Sequence, residues 1–325
     1  MTEASPTRIA LIGAGRMGQV HLGALQSSDE IAVVAVVEPF APTRERLQAE
    51  GLVVYESVQE LLDAAPLDGV LIAAPTDQHP ELVATFAAAG IPMLCEKPVG
   101  VRPQDAERAT RAAADAGVLL QVGYWRRFVP ELRELREQIA DGELGDISLL
   151  SCMQWDSELP SEQFRSHAGG IMVDMGVHEF DQVRWLLGDE FESIVAVPAG
   201  PSTQPRPATD PDSAVLLATT SRGAAVTISL GRQFPHADSC WVEVWGTSGY
   251  ARIPFMWDTD GDEVFRVSMR RQAEAFARAV RGGVCEGAQA ADAIAAQLVA
   301  ARATEALGGG VADSSGTPQP QRQTT

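Results

Sequence analysis

The chain reads as an α/β protein of two units. Residues 1–124 should form a doubly wound parallel sheet, and residues 125–307 an α+β unit around a large, mainly antiparallel, open sheet. Three observations predict this. From residue 7 to about residue 124, short apolar runs alternate with amphipathic helical stretches, the pattern of parallel strands joined by crossover helices. The first run, Arg8 to Ile12, opens directly into Gly13-Ala14-Gly15-Arg16-Met17-Gly18 and a helical pattern through Leu25. Beyond residue 190, several longer strand-like runs follow one another without helices between them, which favours antiparallel pairing.

Taken in order, parallel strands are expected at 9–12, 31–37, 52–54, 69–73, 92–95 and 118–122. Helices at 81–89 and 106–116 each end at a glycine, Gly90 and Gly117, as helix C-caps often do. A charged helix at 130–140 and a turn at 141–145 lead to a strand at 147–155, then to a helix at about 170–187. Strands follow at 193–197, 214–219, 224–230, 240–245 and 250–253, with a proline-rich loop at 200–211. Alanine-rich helices at 267–281 and 288–307 close the fold, and these C-terminal helices are placed to pack back on the first unit. The tail at 308–325 lacks the apolar residues to pack and reads as disordered. A sheet face left free of helices is a natural subunit interface, so a homo-oligomer, dimer or tetramer, is expected.

Composition narrows the function classes. The 325 residues, 45% of them hydrophobic, suffice for two ordinary cores. Acidic residues outnumber basic ones 44 to 25, for a net charge of −19, which argues against nucleic acid and anionic membranes as partners. Four cysteines, Cys95, Cys152, Cys240 and Cys285, lack metal-ligand spacing and read as buried thiols in a reducing compartment. Residues 1–7 are polar, with no apolar leader, and no stretch has the length of a membrane span. A cytoplasmic protein without a metal is expected.

The glycine loop carries the first chemistry. Gly13 permits a tight turn, Gly15 lets backbone amides approach a pyrophosphate, Gly18 lets helix and strand pack closely, and the helix N-terminus favours the phosphate charge. The second apolar run ends on Glu38, twenty positions after Gly18, where a carboxylate reaches the ribose hydroxyls of an adenine dinucleotide. A carboxylate accepts from a free 2′-hydroxyl and repels a 2′-phosphate, which selects NAD; Arg44 nearby keeps NADP as a second option.

Two further segments stand out. Cys95-Glu96-Lys97-Pro98 lies at the carboxyl end of the fifth expected strand, so Lys97 would point into the cofactor cleft. Its bland reading is a solvated lysine at a strand end. In Gly169-Gly170 through Asp181, helical spacing puts Asp174, His178, Asp181 and Trp185 on one face, a titratable imidazole between two carboxylates. A wet helix surface would show the same stripe.

These motifs together resemble the Gfo/Idh/MocA oxidoreductases, particularly their inositol dehydrogenase branch, over residues 7–307. The resemblance implies that Lys97, Asp174 and His178 are catalytic: His178 takes the proton of a substrate hydroxyl, Lys97 polarises that oxygen, and Asp174 orients the lysine. It implies cofactor contacts from Gly13, Gly15, Arg16, Met17, Gly18 and Glu38, from Ala74, Pro75, Thr76 and His79 after the fourth strand, and from Glu96, Lys97 and Arg126. Substrate contacts are implied for Lys97, Arg127, Asp174 and His178. Trp155, Asp156, His167 and His236 would complete an unusual polyol pocket. Where many relatives carry aspartate, this chain has Glu38. The expected activity is NAD-dependent oxidation of a secondary hydroxyl of a cyclic polyol or sugar to a ketone, with myo-inositol C2 as first guess. Oxidation at C1 or C3 of a pyranose, transient oxidation that cleaves a glycoside, and a non-catalytic dinucleotide sensor are the alternatives.

Overall fold

The computed structural model describes residues 5–64, 66–200, 206–257 and 261–309. The expected tail from residue 310 onward and the loop section 201–205 lie outside them, while Gly308 and Gly309 belong to the last helix, Ala290–Gly309.

The first unit is a six-stranded parallel sheet of β1 (Thr7–Ile12), β2 (Ile31–Val37), β3 (Val54–Tyr55), β4 (Gly69–Ile72), β5 (Met93–Cys95) and β6 (Leu120–Val122), ordered β3-β2-β1-β4-β5-β6. This is the doubly wound dinucleotide-binding order, with the strand order reversing between β1 and β4. Gly69 to Ile72 are buried throughout, as a strand covered by helices on both faces requires. The third strand is shorter and later than expected, because Leu52 and Val53 belong to the approach to it.

The second unit holds β7 (Ile147–Asp156), β8 (Phe191–Pro198), β9 (Ser213–Thr220), β10 (Ala225–Arg232), β11 (Ser239–Gly246) and β12 (Tyr250–Met256), ordered β12-β11-β7-β10-β9-β8. All neighbours pair antiparallel except β7 and β10, which run parallel with Asp156 beside Arg232. Register fixes two faces. Val242, Cys152, Ile228, Leu216 and Ala196 form a buried row against the helices, whereas Trp241, Met153, Ser229, Val215 and Val197 form a row on the opposite face. Leu217 and Val195 on that second face are each 54% exposed.

The helix expected at 170–187 is interrupted. A short helix, Ile171–Asp174, is followed at Met175 by the helix Gly176–Leu187, so the expected single stripe is broken between Asp174 and His178. The helix Gly261–Val280 returns to the first sheet, where Ala273, Phe276 and Ala277 share a core with Ile9 and Leu11. The helix Ala290–Gly309 touches Pro103–Asp115 of the first unit and both Gly176–Leu187 and β8 of the second. Cys95, Cys152 and Cys240 are buried as expected, whereas Cys285 is only half-buried. No helix among the described residues is long and apolar enough to cross a membrane.

Candidate active site

The glycine loop follows β1 and is shaped by close backbone approach. Gly13 has φ +91°, and a Cβ there would lie 2.8 Å from Ala74 Cα; a Cβ on Gly18 would collide with the Gly13 carbonyl. A Cβ on Gly15 would meet nothing within 4 Å, and Gly15 is the N-cap of the helix Arg16–Leu25 without any side-chain cap. Gly15 and Arg16 are exposed and Met17 half-buried, so the start of this helix presents its amides at an open rim. Glu38, just beyond β2, sends Oε2 to accept from the Ala14 N–H at 2.9 Å and Oε1 to accept from the Phe40 N–H at 2.9 Å. Each oxygen retains a lone pair for a diol. Arg44 donates to the Glu38 and Pro39 carbonyls and to Glu56 Oε2 at 2.9 Å, so its charge is already engaged. Bare loop, helix N-terminus and ribose-side carboxylate fit a dinucleotide without a 2′-phosphate.

Ala74 and the exposed Pro75 lead into the turn Thr76–Gln78, facing the loop across the sheet's switch point. His79 is buried, with Nδ1 2.8 Å from the Pro98 carbonyl and Nε2 2.8 Å from the Ala74 carbonyl. It therefore braces the cofactor loop from behind.

Lys97 follows β5, before a cis peptide to Pro98. Its Nζ donates to the Asp174 carbonyl at 2.8 Å and lies 3.8 Å from Asp174 Oδ1. Asp174 Oδ2 accepts from Arg232 at 3.1 Å. Arg232, the last residue of β10, also donates to Asp210 Oδ1 at 3.0 Å, and Arg165 donates to Asp210 Oδ2 at 3.1 Å and to Asp212. An alternating chain of charges thus runs from the lysine into the second unit. Sequence reading missed Arg232, Arg165, Asp210 and Asp212, which no local pattern marks.

His178 lies in the first turn of Gly176–Leu187, with Tyr124 and Trp125 edge-on to its ring at 6.1 and 6.4 Å. Burial, then the charges of Lys97 and Arg126, hold its imidazole well below the usual histidine range. The ring is neutral at physiological pH, the state a general base requires. Asp156 closes β7 and is pushed up to about 6, by burial first and then by Asp238, with Asp174 adding repulsion and Gln154 and Lys97 partly offsetting it. Lys97 is thus within electrostatic reach of Asp174, His178 and Asp156.

Other expected contacts fall elsewhere. Arg126, expected at the cofactor, is buried in the second unit, donating to Glu179 Oε1 at 2.5 Å, Gln182 Oε1 at 3.2 Å and Gln154 Oε1 at 2.9 Å. Arg127, expected at the substrate, forks onto Asp181 at 2.9 and 2.6 Å and reaches Asp292 at 3.0 Å, tying Gly176–Leu187 to the last helix. Asp181 is therefore a structural partner. His167 is exposed and its Nδ1 bonds within its own short helix, to the Gln163 carbonyl at 2.9 Å. Trp155 covers Gly231 and donates to Ser229 Oγ at 3.2 Å, which places its ring on the outer sheet face, and exposed His236 lies tilted against Phe234 with ring centroids 5.2 Å apart.

The doubly wound sheet, its glycine loop and the carboxylate after β2 define a dinucleotide-dependent oxidoreductase. Residues 7–124 match a family model described as oxidoreductase family, NAD-binding Rossmann fold, and residues 132–252 match the GFO/IDH/MocA C-terminal domain. The rhizopine catabolism protein MocA of Rhizobium meliloti is 46% identical over 300 residues, covering 92% of this chain and 95% of that protein. An inositol 2-dehydrogenase of Rhizobium meliloti (strain 1021) is 32% identical over 243 residues, 74% of each chain. Among solved structures, a probable dehydrogenase from Thermotoga maritima superposes with a TM-score of 0.84 at 26% identity, covering 92% of this chain and 96% of that one. A scyllo-inositol dehydrogenase from Lactobacillus casei with bound NAD(H) and scyllo-inositol shares the fold, with a TM-score of 0.83 at 21% identity over 93% of this chain and 96% of that one. The chain belongs to the Gfo/Idh/MocA family of NAD-dependent oxidoreductases.

Proposed function

We propose that this enzyme oxidises a secondary hydroxyl of an inositol-class cyclic polyol to the ketone. The observation that carries the reading is Lys97 Nζ at the carboxyl end of β5, held 2.8 Å from the Asp174 carbonyl, with a buried His178 near enough to feel its charge. When bound, a nicotinamide would supply the hydride acceptor. His178 takes the hydroxyl proton, Lys97 stabilises charge developing on that oxygen, and Asp174, tied back by Arg232, sets the lysine's direction. Atoms balance: the carbinol loses one hydride and one proton, and the C–O bond becomes C=O. The glycine loop and Glu38 would hold the cofactor's pyrophosphate and ribose, and Asp156 would add an acceptor for a neighbouring hydroxyl.

The relatives support the substrate class, since an inositol 2-dehydrogenase is among them. A rhizopine is the second reading, because MocA matches more of the chain at higher identity. The test is initial-rate NADH formation on inositol stereoisomers, rhizopines, aldoses and sugar acids. Turnover on an inositol stereoisomer supports the reading, turnover confined to rhizopines favours the second, and turnover only on aldoses or sugar acids, or silence with NAD bound, refutes it. We assign the enzyme to the cytoplasm, where its free thiols persist. We assign it a dimeric or tetrameric state through the open sheet face bearing Val195, Leu217 and Trp241. Light scattering that returned a monomer would remove the latter.

A further inference from the structure

Two buried histidines take no part in the chemistry above, and both grip the turn that carries Lys97. His21 lies on the helix Arg16–Leu25, three residues past Gly18, and is 1% exposed. Its Nε2 is 2.7 Å from Glu96 Oε1, and the other oxygen of Glu96 accepts the Lys97 backbone N–H at 3.2 Å. A carboxylate only accepts, so Nε2 carries the proton and the imidazole is the donor. The carboxylate sits in a space made for it: a Cβ on Gly123 would come within 2.9 Å of Glu96 Oε2. From the opposite side His79 holds the Pro98 carbonyl, as described above.

We propose that His21 is a positioning residue which, through Glu96, couples the placement of Lys97 to the helix whose N-terminus receives the cofactor pyrophosphate. His21 touches neither the hydroxyl oxygen nor the reacting carbon. Its position argues for coupling instead, because one rigid helix carries the pyrophosphate loop at its start and the Glu96 donor within its second turn. Without that donor, the Glu96 carboxylate is free to rotate and the Lys97 amide loses a fixed acceptor. A displacement of about 1 Å at a reacting group costs on the order of 100-fold in rate. His79 closes the same turn from the Ala74 side, so the lysine is referenced to both cofactor-facing loops.

The kinetic arm of the test rests on the dehydrogenase reading, so a second arm needs no substrate. His21→Gln carries its amide nitrogen at the level of Nε2 and keeps the bond to Glu96; His21→Asn reaches only the level of Nδ1. The Asn variant should lose about tenfold or more in kcat while its NAD Kd stays within about twofold, and the Gln variant should recover most of the loss. In cofactor-free protein, the rate at which pyridoxal 5′-phosphate and borohydride label Lys97, followed by peptide mass mapping, should shift in the Asn variant and not in the Gln variant. Absence of turnover in the unsubstituted enzyme defeats the dehydrogenase reading while the labelling comparison still decides the positioning role. Equal labelling of the two variants, or a loss seated in NAD affinity, overturns the proposal. If neither variant folds, Glu96→Asp, which shortens the reach to His21, is labelled in their place, and an unchanged rate overturns it equally.

Discussion

Arg232→Met tests whether the charge chain behind Asp174 is needed for stability and for rate. The Arg232 side chain is 1% exposed and makes two charge-assisted bonds, to Asp174 Oδ2 at 3.1 Å and to Asp210 Oδ1 at 3.0 Å. Methionine fills much of the same volume and satisfies neither carboxylate. Removing one partner of a buried ion pair costs about 3–5 kcal/mol, because a charge is left behind in a poorly solvated place. Here the low end applies. Asp210 keeps Arg165 at 3.1 Å, Asp174 keeps Lys97 at 3.8 Å, and both carboxylates retain some solvent, so about 3 kcal/mol is expected. Freed from Arg232, Asp174 swings toward Lys97, and kcat/KM should fall roughly 10- to 100-fold with NAD affinity intact. Urea denaturation followed by tryptophan fluorescence reads the first quantity and steady-state kinetics the second. A variant with an unchanged urea midpoint and unchanged kcat/KM would refute the argument that Arg232 holds Asp174 in place.

Further perturbations separate the roles at the site. Lys97→Ala should leave the NAD Kd nearly unchanged and cut kcat by about 100-fold or more, and an active variant would remove the lysine from the reaction. His178 has a depressed pKa, so it stays neutral until the pH falls well below 6.5, and the acid limb of kcat/KM assigned to it should lie below that value. His178→Asn should abolish that limb; a profile that keeps it sends the base elsewhere. For Asp156 the sign is opposite. Its folded pKa is raised to about 6 against about 3.9 in an unfolded chain, so the cost of its charge is absent below that lower value and complete above the higher one. Asp156→Asn should therefore stabilise the protein at pH 8 and not at pH 4, and equal effects at both would show that its charge is not the cause.

Local pattern carried most of the first unit. Apolar runs of four to seven residues with a glycine turn after the first are visible without any tertiary knowledge, and strand, loop, Glu38 and Lys97 all lie close to one another along the chain or at strand ends. Where a short segment depends on its neighbours the reading slipped, as at Val54–Tyr55, whose two ladder residues are set by β2 rather than by their own sequence. The antiparallel character of the second sheet was legible, but the parallel β7–β10 pair was not, because the helices between β7 and β8 reverse the chain's direction before it re-enters. Charged side chains were the least readable. Arg126 and Arg127 read in sequence as a cofactor and a substrate contact, yet their partners Glu179 and Asp181 lie 53 and 54 positions away. The bond of Arg232 to Asp174 spans 58 positions, and no periodicity signals it.

The parallel β7–β10 pair has a consequence for how this site changes over time. Asp156 and Arg232 stand side by side as the final residues of those two strands, and beyond them the chain enters the segments 157–161 and 233–238. Cofactor chemistry, by contrast, is assembled at the ends of β1, β2, β4 and β5. The two regions can therefore be edited separately: insertions or exchanges in 157–161 and 233–238 would reshape the rim bearing Asp156 and Arg232 without disturbing a rung of either ladder or the glycine loop. Such a layout lets the dinucleotide-binding half stay fixed while the other rim changes.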